Sequence, residues 1–291
     1  MSARVRFMRW ASYIVSVFNP VPYALALYEG GLVVARSLPL AWNMAVRDQV
    51  GRYKGQVIGA AWTIAHPTLL MLIFLFIFGV VFKARLDLSF ELPRDYTIYI
   101  LSGLVPWLAC IPAITASCNS ILGSSNLVKQ FGFDTTILPL RDVLSSVPFW
   151  CVGIVFVVSY TVLSGNGAPW TYAMIPVVLA LNFMFLVGLA WLLSALTVFF
   201  RDIKDFVTVA VTMFLYILPI VYLPEWTPEV FRVAIQFNPL SYLIWVYQDI
   251  FYFGRFEHPD AWIIFSSMSV FVFAAGYRVF VRLKPYFGNV L

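Results

Sequence analysis

The sequence predicts an all-α integral membrane protein, residues 1–291 forming one transmembrane domain: six transmembrane helices, an N-terminal amphipathic interface helix, and a re-entrant helical pair between spans five and six. Three observations predict it. Of the 291 residues, 62% are hydrophobic and 11% charged, against about 45–50% and about 25% in an average soluble domain. Long uncharged runs recur at the length of a bilayer crossing, about 20 residues of helix. The basic residues behind the formal charge of +5 lie between those runs, which makes them topology signals rather than a nucleic-acid surface.

Residues 1–57 read as a cytoplasmic and interfacial segment. The apolar residues after Arg9 are broken by Ser12, Ser16, Asn19, Pro20 and Pro22, so no secretory leader is expected. Pro39 to Lys54 fits a helix with Asn43, Arg47 and Lys54 along one side and Leu38, Trp42, Val46 and Tyr53 nearer the other. Such a basic, aromatic-containing segment lies in the membrane interface, its cations near lipid phosphates.

The spans follow in order. Ile58 to Phe82 has no Asp, Glu, Lys or Arg and makes the first, 58–82. Tyr96 to Val128 is uncharged, and its first part makes the second, 97–118. The 58 residues from Val143 to Phe200 are uncharged, too many for one crossing, and Gly165-Asn166-Gly167-Ala168-Pro169 interrupts them with turn residues. A hairpin of spans 143–164 and 171–198 results. Spans 206–223 and 261–281 complete the six. Between them, Val233 to Gln248 is uncharged but only 16 residues long and is broken at Asn238-Pro239. That stretch reads as the re-entrant pair within 224–254, since irregular backbone at membrane depth is tolerated only when buried in protein or facing water. With both termini inside, 14 Lys and Arg residues face the cytoplasm and 5 the other side, the bias expected of a correctly oriented bundle.

Several chemistries are excluded. The five clearest spans hold no Asp, Glu, Lys or Arg, only Arg278 and Arg282 standing toward the end of the sixth, so an ion-coupled mechanism lacks its usual intramembrane charges. No phosphate-binding G-x-x-x-x-G-K-[ST] loop is present, and ATP with its Mg²⁺ would have to be bound by a second polypeptide. His66 and His258 are the only histidines, and there is no G-x-S-x-G elbow or H-E-x-x-H pair. The three cysteines, Cys110, Cys118 and Cys151, have no metal-type spacing. No catalytic residue, metal ligand or cofactor is therefore expected in this chain. The 18% of Phe, Trp and Tyr suits interfacial belts and also smooth platforms for sugar faces.

The run Arg52-Tyr53-Lys54-Gly55, followed by Gly59, Trp62 and Pro67, resembles the signature entering the first span of type-two ABC export permeases, the branch exporting cell-surface polysaccharides. The resemblance continues in Leu104-Val105-Pro106-Trp107, Ser125-Asn126-Leu127-Val128-Lys129, Ile137-Leu138-Pro139-Leu140 and Phe199-Phe200-Arg201-Asp202-Ile203. It recurs in Pro219-Ile220-Val221-Tyr222, in Asn238-Pro239-Leu240, and in the tail from Leu283 to Leu291. Members often carry Phe-Pro where this chain has Phe133-Asp134, and Asn where it has His66.

The resemblance implies a homodimer enclosing a channel, joined to two cytoplasmic ATPase subunits, in the bacterial cytoplasmic (inner) membrane. The cargo it implies is a lipid-linked O-antigen, capsular or teichoic acid polymer. It also makes Pro39 to Lys54 the interface helix and Asn119 to Asp142, with Asn126, Lys129 and Arg141, a loop docking on the ATPase. Pro224 to Gly254 becomes the outer gate, flanked by Pro219 and Tyr222 and broken at Asn238 and Pro239. Arg47, Arg52 and Lys54 are candidates for the pyrophosphate of a lipid carrier, Arg and Lys being natural phosphate partners. Arg201 and Asp202 in the short inner loop suit docking, an ion pair or a solvated turn. Two other functions remain open: export of drugs or small lipids on the same plan, and a membrane-embedded glycan- or lipid-modifying enzyme, which would need a polar cluster near one leaflet.

Overall fold

The structure, a computed structural model, describes residues 21–82, 94–129, 132–165, 167–224 and 227–290. The 1–20 segment, Lys83 and Arg85, which are expected on the outer side, Asn166 of the hairpin turn and Leu291 lie outside the described residues. Helices account for the fold, and no strand occurs among the described residues.

Helix α1, Val21–Arg52, is the first departure from the sequence reading: it runs 32 residues straight through Pro39, about 48 Å at 1.5 Å per residue. Proline disfavours a helix interior by removing one N–H, yet the helix starts at Val21, well before the expected Pro39. What holds α1 is packing. Ala26, Ala41 and Ala45 are buried, and Gly30 sits so close that a Cβ there would meet the Phe273 ring at 2.9 Å.

Five further helices are long and apolar enough to cross a membrane at or near the expected places. These are α2 (Trp62–Phe76, continued by a π-turn to Phe82), α3 (Tyr96–Asn119), the α4–α5 pair (Ile137–Leu144, Val147–Leu163), α6 (Ile175–Phe199) and α10 (Pro259–Leu283). With α1 they make six candidate crossings. The expected fifth span is shorter than its sequence suggested: α7, Ile203–Ile217, has 15 residues, about 22 Å. It ends because Leu218 precedes Pro219 and adopts an extended conformation, φ −71°, ψ 151°, as the clash with a following proline ring requires. Two short helices, α8 (Glu229–Phe237) and α9 (Pro239–Gln248), meet at Asn238.

Helix α3 is the axis of the bundle. Its best apolar window is 83% buried, against 11% for the first span, and it touches α5, α6, α7 and α9. The most extensive pairing joins α6 and α10, where Gly188 and Gly276 bring two backbones together: a Cβ on Gly276 would lie 1.9 Å from the Gly188 carbonyl oxygen. Small residues at such crossings are what lets helices pack in lipid, where association gains nothing from a hydrophobic effect between chains. The turn between α5 and α6 uses Gly165 at φ +81° and Gly167 at φ +67°, values that glycine adopts without steric cost.

Candidate coupling face and outer gate

Charged and polar side chains gather at two ends of the bundle. At one, the C-terminal part of α1 is fastened to α4. Arg141 Nε lies 3.1 Å from Asp48 Oδ2 and its Nη2 lies 2.8 Å from Asp142 Oδ1, while Gln49 Nε2 donates to the Ser145 carbonyl. The Asp142 side chain is 6% exposed and that of Arg141 14%. A buried carboxylate needs such a partner, because desolvation of an unpaired charge costs several kcal/mol. Thus Arg141, expected at a docking surface, turns its guanidinium inward and binds two helices together.

Nearby, Lys284 Nζ lies 2.7 Å from Asp134 Oδ1, Thr136 N–H donates to the same carboxylate at 3.1 Å, and Trp191 Nε1 donates to the Thr136 carbonyl at 3.1 Å. The loop before α4 is so tied to α6 and to the end of α10. Partial burial pushes the Asp134 carboxyl up, but the hydrogen bonds from Lys284 and Thr136 and the Lys284 charge outweigh it and hold the group below its usual value. A depressed carboxylate stabilises the fold above its unfolded pKa and loses that contribution as pH falls through the folded value. Asp134→Asn should therefore loosen the 284–290 tail by at most about 1 kcal/mol, the pair being partly exposed. Faster amide exchange of Phe287 at neutral pH, and wild-type exchange approaching the mutant rate on acidification, would check it.

The other proposed inner residues are surface groups. Asn126 and Lys129 are exposed at the short helix Ser125–Val128, and Arg201 and Asp202 are exposed in the turn before α7. Among the described residues no ion pair joins Arg201 or Asp202 to Lys204 or Asp205. Arg47, Arg52 and Lys54 are all exposed, yet they are not grouped alike. Arg52 lines a cavity of about 200 Å³ with Tyr53, His66, Asp142 and Ser145, and Arg47 and Lys54 are not among its lining residues.

At the opposite end, the turn 218–222 is pinned from two sides. Tyr99 Oη donates to the carbonyls of Pro219 and Tyr222 at 3.2 Å each, Tyr96 Oη donates to the Val221 carbonyl, and Gln248 Nε2 on α9 donates to the Pro219 carbonyl at 2.8 Å. Pro219 is buried and Tyr222 half-buried. Asn238 caps α9, its Oδ1 accepting from Leu240 N–H at 3.0 Å, and Pro239 takes the first helical position, where its missing N–H is harmless.

Asp249 is the residue that sequence reasoning missed. It follows α9 in a π-turn, Asp249–Phe253, and is fully buried. Its Oδ2 accepts from the His258 N–H at 3.1 Å and from Trp262 Nε1 at 2.9 Å, and its Oδ1 meets His258 Nδ1 at 2.8 Å. The π-turn carbonyls are satisfied by Arg94 Nη1 to Phe251 O at 2.9 Å and Thr171 Oγ1 to Ile250 O at 2.7 Å. An acidic residue closing an otherwise uncharged run, with a histidine and a tryptophan at the start of the next helix, was the available signal.

The sequence has known relatives. The family model described as ABC-2 type transporter matches residues 40–252, from within α1 to the π-turn after α9. The chain belongs to the ABC-2 type transporter family. Relatives of this ABC-2 chain include the O-antigen export system permease protein RfbA of Klebsiella pneumoniae, 28% identical over 249 residues that cover 84% of this chain and 92% of the relative. The protein of the same name in Myxococcus xanthus is 24% identical, with 85% and 93% covered. Family and apolar helices together make this a multi-pass membrane protein.

Proposed function

We propose that this chain is the transmembrane subunit of an ATP-driven exporter of lipid-linked cell-surface polysaccharide, working as a homodimer with two copies of a separate ABC ATPase in the bacterial cytoplasmic membrane. The observation that carries the reading is the colinear similarity to O-antigen export permeases over nearly their whole length. Hydrolysis of Mg-ATP supplies the work and belongs to the partner; the residues here transmit it and line the path. A hydrophilic polymer cannot dissolve in hydrocarbon, and spans free of fixed charge let its hydroxyls pass without deep trapping.

The end bearing Arg141, Asn126 and Lys129 is read as cytoplasmic, from the excess of basic residues on that side. Helix α1 carries Glu29, Arg36, Arg47, Asp48 and Arg52 along its length, and charges so distributed favour an interfacial position over a crossing. Helix α7 with the pinned turn after it then serves as the fifth span. The exposed Ser125–Val128 helix and the 201–202 turn offer the ATPase its docking surface, and the Arg141 link passes displacement of α4 to α1. The α8–α9 pair with the 218–222 turn forms the outer gate. Arg52, beside His66 in its cavity, with the exposed Arg47 and Lys54 flanking it, receives the phosphates of the carrier lipid.

Co-purification tests the whole: a stoichiometric ATPase whose hydrolysis depends on this chain is expected, and a chain that alone turns over a glycan lipid would refute the reading. Neutralising Arg47, Arg52 and Lys54 together should lower surface glycan at least fivefold while the ATPase still co-purifies. Arg52→Gln alone is expected to account for most of that loss.

A further inference from the structure

A cavity of about 550 Å³ opens between α8, α9 and the start of α10, walled by Arg232, Gln236, Tyr242, Trp245, His258 and Asp260 among others. Its size falls within the roughly 300–1,000 Å³ of small-molecule sites. We infer that it is a binding site for a short stretch of neutral sugar residues on the outer face, an inference that rests on the exporter reading above for the side it faces and for the cargo.

The imidazole of His258 is fixed before any ligand arrives. Its Nδ1 is engaged by the fully buried Asp249 at 2.8 Å, and its ring stacks on Trp245, centroids 5.4 Å apart and 6° from parallel. Engagement of one ring nitrogen by a carboxylate sets the tautomer and leaves Nε2 as the remaining polar atom. Nε2 of the half-exposed His258 is therefore the ring atom left to hydrogen-bond a sugar hydroxyl. Gln236 adds an amide, Asp260 an acceptor, and Arg232, whose Nε donates to the Pro224 carbonyl at 3.3 Å, a guanidinium edge. Tyr242, set edge-on to Trp245 at 5.1 Å, adds an apolar wall.

The charge pattern selects among ligands. Arg232 is matched within the lining by Glu257 and Asp260, and Glu257 is itself paired to Arg255 at 2.6 Å. A wall without excess positive charge does not favour a phosphate or a lipid headgroup. Mixed donors and acceptors beside aromatic surface suit a polyhydroxylated, uncharged ligand, for which every hydroxyl both gives and accepts a hydrogen bond.

The full chain in lipid nanodiscs should transfer NMR saturation to mannotriose or maltotriose. His258→Ala should weaken that binding at least fivefold. Because His258→Ala strands Asp249, the surface variants Tyr242→Ala and Gln236→Ala serve alongside it, with at least threefold weakening expected from their combination. Equimolar inorganic phosphate should leave the signal unchanged. No transfer to either trisaccharide, transfer indifferent to these variants, or displacement by phosphate would overturn the site. Surface glycan in cells carrying the wild-type chain with its ATPase separates the two ideas: glycan present without binding removes the site alone, and glycan absent removes the exporter reading beneath it.

Discussion

Gly276→Ala is expected to break the packing of α6 on α10. The added methyl would sit 1.9 Å from the Gly188 carbonyl oxygen and 2.7 Å from its carbon, and both obstacles are backbone, so no side-chain rotation relieves them. The two helices must separate along the longest contact in the bundle. Overpacking a core costs about 1–3 kcal/mol and occasionally more; with rigid atoms in the way, a loss of at least about 3 kcal/mol is expected here. A heat ramp of the detergent-solubilised chain, followed by size exclusion, should show a far lower midpoint or no monodisperse protein. Gly31→Ala is the control: nothing lies within 4 Å of a Cβ there, and alanine in a helix interior gains up to about 1 kcal/mol over glycine. Equal behaviour of the two variants would refute the close crossing.

The second large effect is expected at Arg141. Arg141→Gln leaves Asp142 buried with its charge unmatched, a change that costs about 3–5 kcal/mol in buried pairs. It also removes the Arg141–Asp48 tie between α4 and α1, leaving the Gln49–Ser145 hydrogen bond. Asp48→Asn removes only the half-exposed partner and should cost about 1 kcal/mol or less. The diagnostic variant is the double one: Asp142→Asn in the Arg141→Gln background removes the stranded charge and should recover most of the lost stability. If the double variant is no more stable than Arg141→Gln, the stranded Asp142 charge is not what the single substitution costs. ATPase co-purification measured on the same proteins separates this inward role from direct docking.

How much of this was readable beforehand depends on whether a feature is local. The break between α5 and α6 was legible because two glycines supply the left-handed backbone of the turn, and the break between α8 and α9 because Asn238 caps and Pro239 starts a helix. Charge-free runs of crossing length marked α2, α3, α6 and α10 for a similar reason: the bilayer imposes one rule on each segment alone. The continuation of α1 through Pro39 was hidden, since its support comes from α10 and α4. The early end of α7 was present in the Leu218-Pro219 step but outweighed by the apolar residues that follow. Arg141 reads from sequence as part of the docking loop, without its tie to α1, because Asp48 is remote in sequence. Asp249 was overlooked because its two partner residues, His258 and Trp262, come from the start of the next helix.

The knot around Asp249 has a mechanical corollary. It fuses the end of α9 to the beginning of α10, while Gln248 anchors the same stretch to the 218–222 turn. Helix α8, with Ile235 its one buried residue, is held at more exposed points, Arg232 Nε donating to the Pro224 carbonyl at 3.3 Å and Tyr242 Oη to the Gln236 carbonyl at 2.7 Å. An outer gate at this end, as proposed above, would have α9 as its fixed frame and the more lightly buried α8 as its leaf.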